Sequence, residues 1–238
     1  MKKKINWEKW IGIFVWITLF FSVGYSITRI VIAPETVADS DIATHTKSDY
    51  VLMLLQCVMG LVVMTIPSMV EKKWKIDIPN YTAITYYIFL YCSIYLGDVR
   101  NFYYIIPHWD TILHCFSGAM LGALGFTLVR ILNDSERVHV VLSPIFICLF
   151  ALCFAVTSGV VWECYEFFGD SLFGLNMQKF RLVDGTLLIG QDALKDTMID
   201  LIVDSLGALV VVLGGYASMK GKEFYRKKKQ IARIKRYR

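Results

Sequence analysis

The long apolar stretches of this 238-residue chain lack a polar face. A helix on the surface of a soluble bundle carries a polar side opposite its apolar stripe, so a water-soluble helical bundle is excluded. No small-x-small cleavage site follows the MKKK start and its hydrophobic run, and the run is too long for the core of a secretory signal. It reads as a retained signal anchor. The polar loops have no cysteine, and no CxxC pair occurs. All six cysteines (Cys57, Cys92, Cys115, Cys148, Cys153 and Cys164) fall in apolar runs, where a thiol behaves as a small hydrophobe. Neither a disulfide framework nor a cysteine metal centre is expected from them. Internal repeats and low-complexity linkers are also missing.

The chain has instead the composition of a multi-pass membrane protein. It is 56% hydrophobic and 14% aromatic, with six Trp and a mean hydropathy of +0.51. A helix needs about 20 mostly apolar residues to cross the hydrocarbon. Six candidates lie near 8–32, 50–70, 81–97, 109–131, 139–166 and 197–218; the third is short and rich in Tyr. The expected fold is all-α: a single transmembrane domain over 1–218 and a basic tail over 219–238. Gly118, Gly122 and Gly125 have the small-xxx-small spacing that lets membrane helices approach closely.

Lys and Arg give the expected orientation. With a cytoplasmic N-terminus, the inner segments carry Lys2, Lys3, Lys4, Lys9, Lys72, Lys73, Lys75, Arg130, Arg137 and the tail cations. The outer loops carry Lys47, Arg100, Lys179, Arg181 and Lys195, with Arg29 near one end. The positive-inside rule then gives six spans with both termini on the cytoplasmic side. The tail KGKEFYRKKKQIARIKRYR could neutralise nucleic-acid phosphates. Its juxtamembrane position instead points to the bilayer, with anionic lipid as its partner and no nucleic acid. Protein partners are not legible. The loops 33–49 and 169–196 are expected outside, the second with VDG and LLIG forming a small hairpin or a re-entrant cap.

Ionisable groups gather at one end of the last three spans. HWDTILHCFSG contributes His108, Asp110 and His114; VVWECYEFFGD contributes Glu163, Glu166 and Asp170; DALKDTMIDLIVDSLG contributes Asp192, Asp196, Asp200 and Asp204. Asp110 and His114 share a helix face, as do Glu163 and Glu166, and Asp196, Asp200 and Asp204 form an i, i+4, i+8 row. At 1.5 Å rise per residue, Asp204 lies about 12 Å deeper than Asp196. A charge at the membrane centre costs on the order of 3 kcal/mol, so these acids must face inward, share protons or meet cations. Taken singly, His108, Asp110, Asp170, Asp192 and Asp196 read as solvated helix-end residues, and His114 as a packed core histidine. The basic groups expected nearby are His108, His114, Arg100 and Lys195, too few for the carboxylates. Oxygen-rich ligation with imidazole suits a divalent cation, Mg²⁺, Mn²⁺ or Zn²⁺. The expected ligands are His114, Glu163, Glu166, Asp196 and Asp200, with Asp110, Glu163 and Asp204 as candidate catalytic groups.

At these residues the chain resembles two bacterial families. WDTILH is similar to the W/Y-D-K-x-x-H opening of YjdF-like inner-membrane proteins, ECYEF to their E-x-x-E-W segment, and GQDALKDTMIDLIVDSLG to their Q-G-D-x-W-D-x-x-x-D-M…G segment. Thr111 stands where Lys is usual, and the Asp192–Asp196 spacing is one residue longer. The more distant VanZ-like proteins have D-K-x-x-H, E-x-x-Q and D-x-x-x-N-x-x-G in the same order; here Asp200, Asp204 and Gly207 would carry the last. The resemblance covers roughly residues 80–215. It implies a multi-pass membrane protein and supplies no reaction; VanZ-like members are linked with glycopeptide-antibiotic resistance. From the residues themselves three functions are open. They are a metal-dependent enzyme acting on lipid-linked or cell-envelope substrates from the outer face, a proton- or cation-coupled transporter, and a non-catalytic structural or regulatory membrane protein. Few polar groups occupy the inner ends of these spans, which favours a one-sided site over a through-path.

Overall fold

The computed structural model describes residues 6–34, 46–74, 78–133, 142–182 and 185–236. Most of the acidic loop 33–49, the cations Lys75 and Arg137, and residues 183–184 of the VDG turn lie outside them. In chain order the helices are α1 (Trp7–Ile32), α2 (Lys47–Val63), α3 (Ile66–Trp74) and α4 (Asn80–Leu90). After a π-helical segment (Tyr91–Val99) come α5 (Phe102–Ile105), α6 (Trp109–Asn133), α7 (Pro144–Phe173) and α8 (Gln191–Arg236). Among the described residues there is no strand; one isolated antiparallel bridge joins Arg181 and Leu187. Among the described residues, five helical stretches are long and apolar enough to cross a membrane: 7–32, 47–73, 109–129, 144–173 and 191–221. The Tyr-rich third candidate is split between α4 and the π-helix and is not one of the five.

Two spans run further than their hydropathy suggests. The fifth begins at Pro144, a residue suited to the first helical turn, with Ser143 Oγ accepting from Phe146 N at 3.2 Å. It continues past Glu166 to Phe173, so Asp170 is helical rather than a loop residue. It stops where Gly174, at φ +67°, takes the left-handed conformation that ends a helix. The sixth begins at Gln191, immediately after Gly190 at φ +63°, and its backbone stays helical through the basic tail to Arg236. Apolar windows miss these ends because charged residues occupy them.

The chain divides into two compact units, residues 1–113 with 167–193, and residues 114–166 with 194–238. In the first, α1 buries Val15, Leu19, Ser22 and Ser26, a stripe at helical spacing. It meets Tyr50, Met53 and Cys57 of α2, with Tyr87, Leu90 and Ile94 closing the core. The serines satisfy themselves, Ser22 Oγ donating to Thr18 O and Ser26 Oγ to Ser22 O, both at 2.9 Å. Thr46 opens α2 with a capping box to Asp49. Pro67 lacks the N–H that would reach Val63 O, so the helix breaks between α2 and α3. Tyr86 Oη donates to that carbonyl at 2.9 Å.

The second unit packs backbone against backbone. A methyl group on Gly118 would run into the Asp204 carbonyl, and one on Gly207 into the Cys115 carbonyl. At Gly125 a methyl would stand 2.7 Å from Ala151 Cα, and at Gly122 3.3 Å from Ala208 Cα. The small-residue spacing of α6 therefore serves close packing, on α8 through Gly118 and Gly122 and on α7 through Gly125. Cys148, Ala151 and Val212 are buried between α7 and α8. All six cysteines are free thiols.

Candidate functional site

The ionisable residues divide between the units. Asp110, Asp170 and Asp192 belong to the first; His114, Glu163, Glu166, Asp196, Asp200 and Asp204 belong to the second.

In the second unit, His114 sits one turn into α6 and is buried, as are Glu163 and Glu166 of α7 and Asp200 and Asp204 of α8. His114 Nδ1 lies 3.3 Å from Asp204 Oδ2, and Nε2 lies 3.8 Å from Asp200 Oδ2. Ser117 Oγ donates to Asp204 Oδ1 at 2.8 Å. The i, i+4 spacing of Asp200 and Asp204 presents both carboxylates to one imidazole. Glycine makes the room: any Cβ on Gly159 would stand 2.9 Å from Asp204 Oδ2. Trp162 Nε1 donates to Glu166 Oε1 at 2.9 Å, anchoring that carboxylate on its own helix. Asp196, a turn before Asp200, is only partly buried.

These contacts orient the ring of His114. Asp204 accepts from Ser117 at Oδ1 and faces Nδ1 at Oδ2; in the neutral Nδ1–H tautomer, Nε2 keeps its lone pair. A ring held this way is oriented by the carboxylate behind it, the arrangement that fixes metal-ligating histidines.

The first unit treats its charges differently. Asp110, in the first turn of α6, pairs with Lys179. Asp170 accepts from Met177 N at 2.7 Å and Gln178 N at 3.0 Å, which ties down the chain leaving α7. His108 is exposed and sits at φ +60° before α6, and Asp192 is exposed. Lys179, from the loop after α7, is a cation for Asp110 that was not among the four basic groups expected from the sequence. Only the fold brings a loop 69 residues away to the start of α6.

Three site residues are absent from the sequence reading. Ser117 was within reach of it, three residues after His114 and so on the same face. Lys179 was not. Asp98, at the end of the π-helix, lies outside the five spans; burial and the neighbouring Asp110 push its carboxyl up to about 8. A lone acid after a Tyr-rich run gives no periodic signal. The π-helix beside it shifts the backbone register, and Trp109 Nε1 donates to its Cys92 carbonyl at 3.2 Å.

Comparison with known proteins agrees with the membrane reading. A family model described as "Predicted membrane protein (DUF2238)" matches residues 40–221. A protein of Thermotoga maritima, described as "Uncharacterized protein", is 30% identical over 161 residues, covering 67% of this chain and 74% of its own length. No solved structure matches. The matched region runs from before α2 to the apolar part of α8 and includes every buried ionisable residue of the second unit. The chain belongs to the DUF2238 family of membrane proteins.

Proposed function

We propose that the second unit binds a divalent cation, Mg²⁺, Mn²⁺ or Zn²⁺, through His114 Nε2 and Asp200, and that the protein is a metal-dependent enzyme acting on lipid-linked or cell-envelope substrates. The observation that carries the reading is the 3.8 Å between Nε2 and Asp200 Oδ2. That gap is longer than an N–H···O hydrogen bond, 2.7–3.2 Å. Two donors each about 2.1 Å from one ion stand roughly 3–4 Å apart. Asp204 acts behind the ring as the orienting carboxylate. Glu163 and Glu166, from the third helix of the unit, are the further ligands or the general base that such chemistry needs. A bound cation would activate water or polarise a phosphoryl or carbonyl oxygen.

A second reading, proton- or cation-coupled transport, is favoured by the same imidazole lying between two carboxylates, since such groups can relay protons within a membrane. The resemblance to YjdF-like and VanZ-like proteins and the positive-inside charge pattern support a bacterial plasma membrane with both termini cytoplasmic. They also support a site open to the outer face and a tail against anionic lipid.

Purified protein is to be incubated with an envelope lipid extract and each cation, and products followed by mass spectrometry. A product that requires metal and disappears with chelator or with Asp200→Asn is expected. Protein that purifies metal-free, ignores all three cations and yields no product would refute the enzyme reading.

A further inference from the structure

Among the described residues from Gly174 to Gly190, the polar groups around Arg181 are engaged internally, while the large side chains most exposed beyond Phe180 are apolar. Asn176 Oδ1 accepts from Arg181 N at 3.0 Å, and Asn176 Nδ2 donates to Arg181 O at 2.7 Å. Arg181 Nη2 donates to Gly174 O at 3.3 Å. Lys179 pairs with Asp110, and Asp170 holds Met177 N and Gln178 N. Backbone bonds from Leu182 N to Thr186 O and from Leu188 N to Phe180 O, both 2.9 Å, close the segment into a hairpin. Leu175 is buried beneath, but beyond Phe180 three apolar side chains point outward: Ile189 is 85% exposed, Leu187 60% and Leu182 49%.

A loop facing water is built the other way, with charges outside and apolar groups beneath. This hairpin is continuous with a membrane span. It starts where the stretch 144–173 ends, at Leu172 and Phe173, themselves 71% and 62% exposed. Exposed apolar residues thus stand on both the helix end and the hairpin that follows it in the chain. We infer that the hairpin is a lipid-facing anchor, with Leu182, Leu187 and Ile189 seated among acyl chains of the leaflet that the C-terminal end of α7 reaches. Its cations are engaged within the unit, so the lipid it takes is recognised by hydrocarbon rather than by headgroup charge. Zwitterionic phosphatidylcholine is sufficient.

The full chain, in phosphatidylcholine nanodiscs, is to be photolabelled with phosphatidylcholine bearing a diazirine near the glycerol end of one acyl chain, and separately footprinted with hydroxyl radicals from water. Lipid adducts on the 182–189 peptide, undiminished by high salt, with little water-side oxidation there, are expected. Ile189→Glu should cut those adducts several-fold while adducts on α7 stay unchanged. Oxidation from water without lipid adducts would overturn the inference. So would cross-linking of the hairpin to a second copy, or adducts indifferent to Ile189→Glu or abolished by salt.

Discussion

The two units bury polar groups by opposite means. In the first, bulky side chains fill the core and polar groups meet single partners: Arg29 Nε donates to Tyr50 Oη at 2.9 Å, Tyr86 covers the Val63 carbonyl, and Lys179 meets Asp110. In the second, glycines bring backbones together, and two carboxylates of α8 meet one histidine. Large side chains insulate polar groups one by one; small residues let acids from neighbouring helix turns converge. Convergence of like charges is unfavourable in hydrocarbon unless something positive joins them. The second unit is therefore glycine-packed around its acids, and the first is packed by bulky side chains.

The largest test of this contrast is steric. Gly118→Val drives a branched side chain into the Asp204 backbone and is expected to destabilise by about 3 kcal/mol, as overpacking does. Gly24→Ala in α1, where a methyl meets nothing within 4 Å, should change stability by no more than about 1 kcal/mol, in the stabilising direction. Thermal unfolding in detergent reads both. Equal effects would erase the distinction between glycine-packed and side-chain-packed units.

A pH effect comes next. An unfolded aspartate releases its proton near 4, whereas folded Asp98 holds its own to about 8. The folded state therefore binds the extra proton between those values. The stability that Asp98 contributes is complete below about 4 and is lost as pH rises through 8. Asp110, Cys57 and Tyr104 are its titratable neighbours. Asp98→Asn should flatten the fall in melting temperature between pH 5 and 9, and an unchanged slope would remove Asp98 from the account. The smallest effect belongs to Tyr86→Phe, which strips the hydrogen bond from Val63 O and should cost about 1 kcal/mol. Restoring a donor through Pro67→Ala in the same chain should recover part of it.

Much of this was legible in the sequence, and the reasons are physical. Apolar runs report hydrocarbon directly, so the helical membrane fold and the glycine contacts of α6 could be read from spacing alone. The i, i+4 pair Asp200 and Asp204 and the lone His114 stood out because hydrocarbon penalises them. Helix ends did not, since Asp170 and the basic tail continue helices with residues that hydropathy counts against. Nor did the pairing of Asp110 with Lys179, since a loop 69 residues away leaves no periodic trace beside Asp110. Asp98 hid behind a π-helix whose register no 3.6-residue period predicts.

The central claim is that His114 binds a cation through Nε2 while Asp204 only holds the ring. Pulsed electron paramagnetic resonance of Mn²⁺-loaded protein in nanodiscs reports a directly bonded imidazole nitrogen. The account predicts one such ¹⁴N coupling in the wild-type protein, its loss in His114→Gln, and weaker Mn²⁺ binding with the coupling retained in Asp204→Asn, about 10- to 100-fold by the usual effect of removing an orienting partner. Saturating Mn²⁺ with no nitrogen coupling, or a coupling that survives His114→Gln, would contradict it.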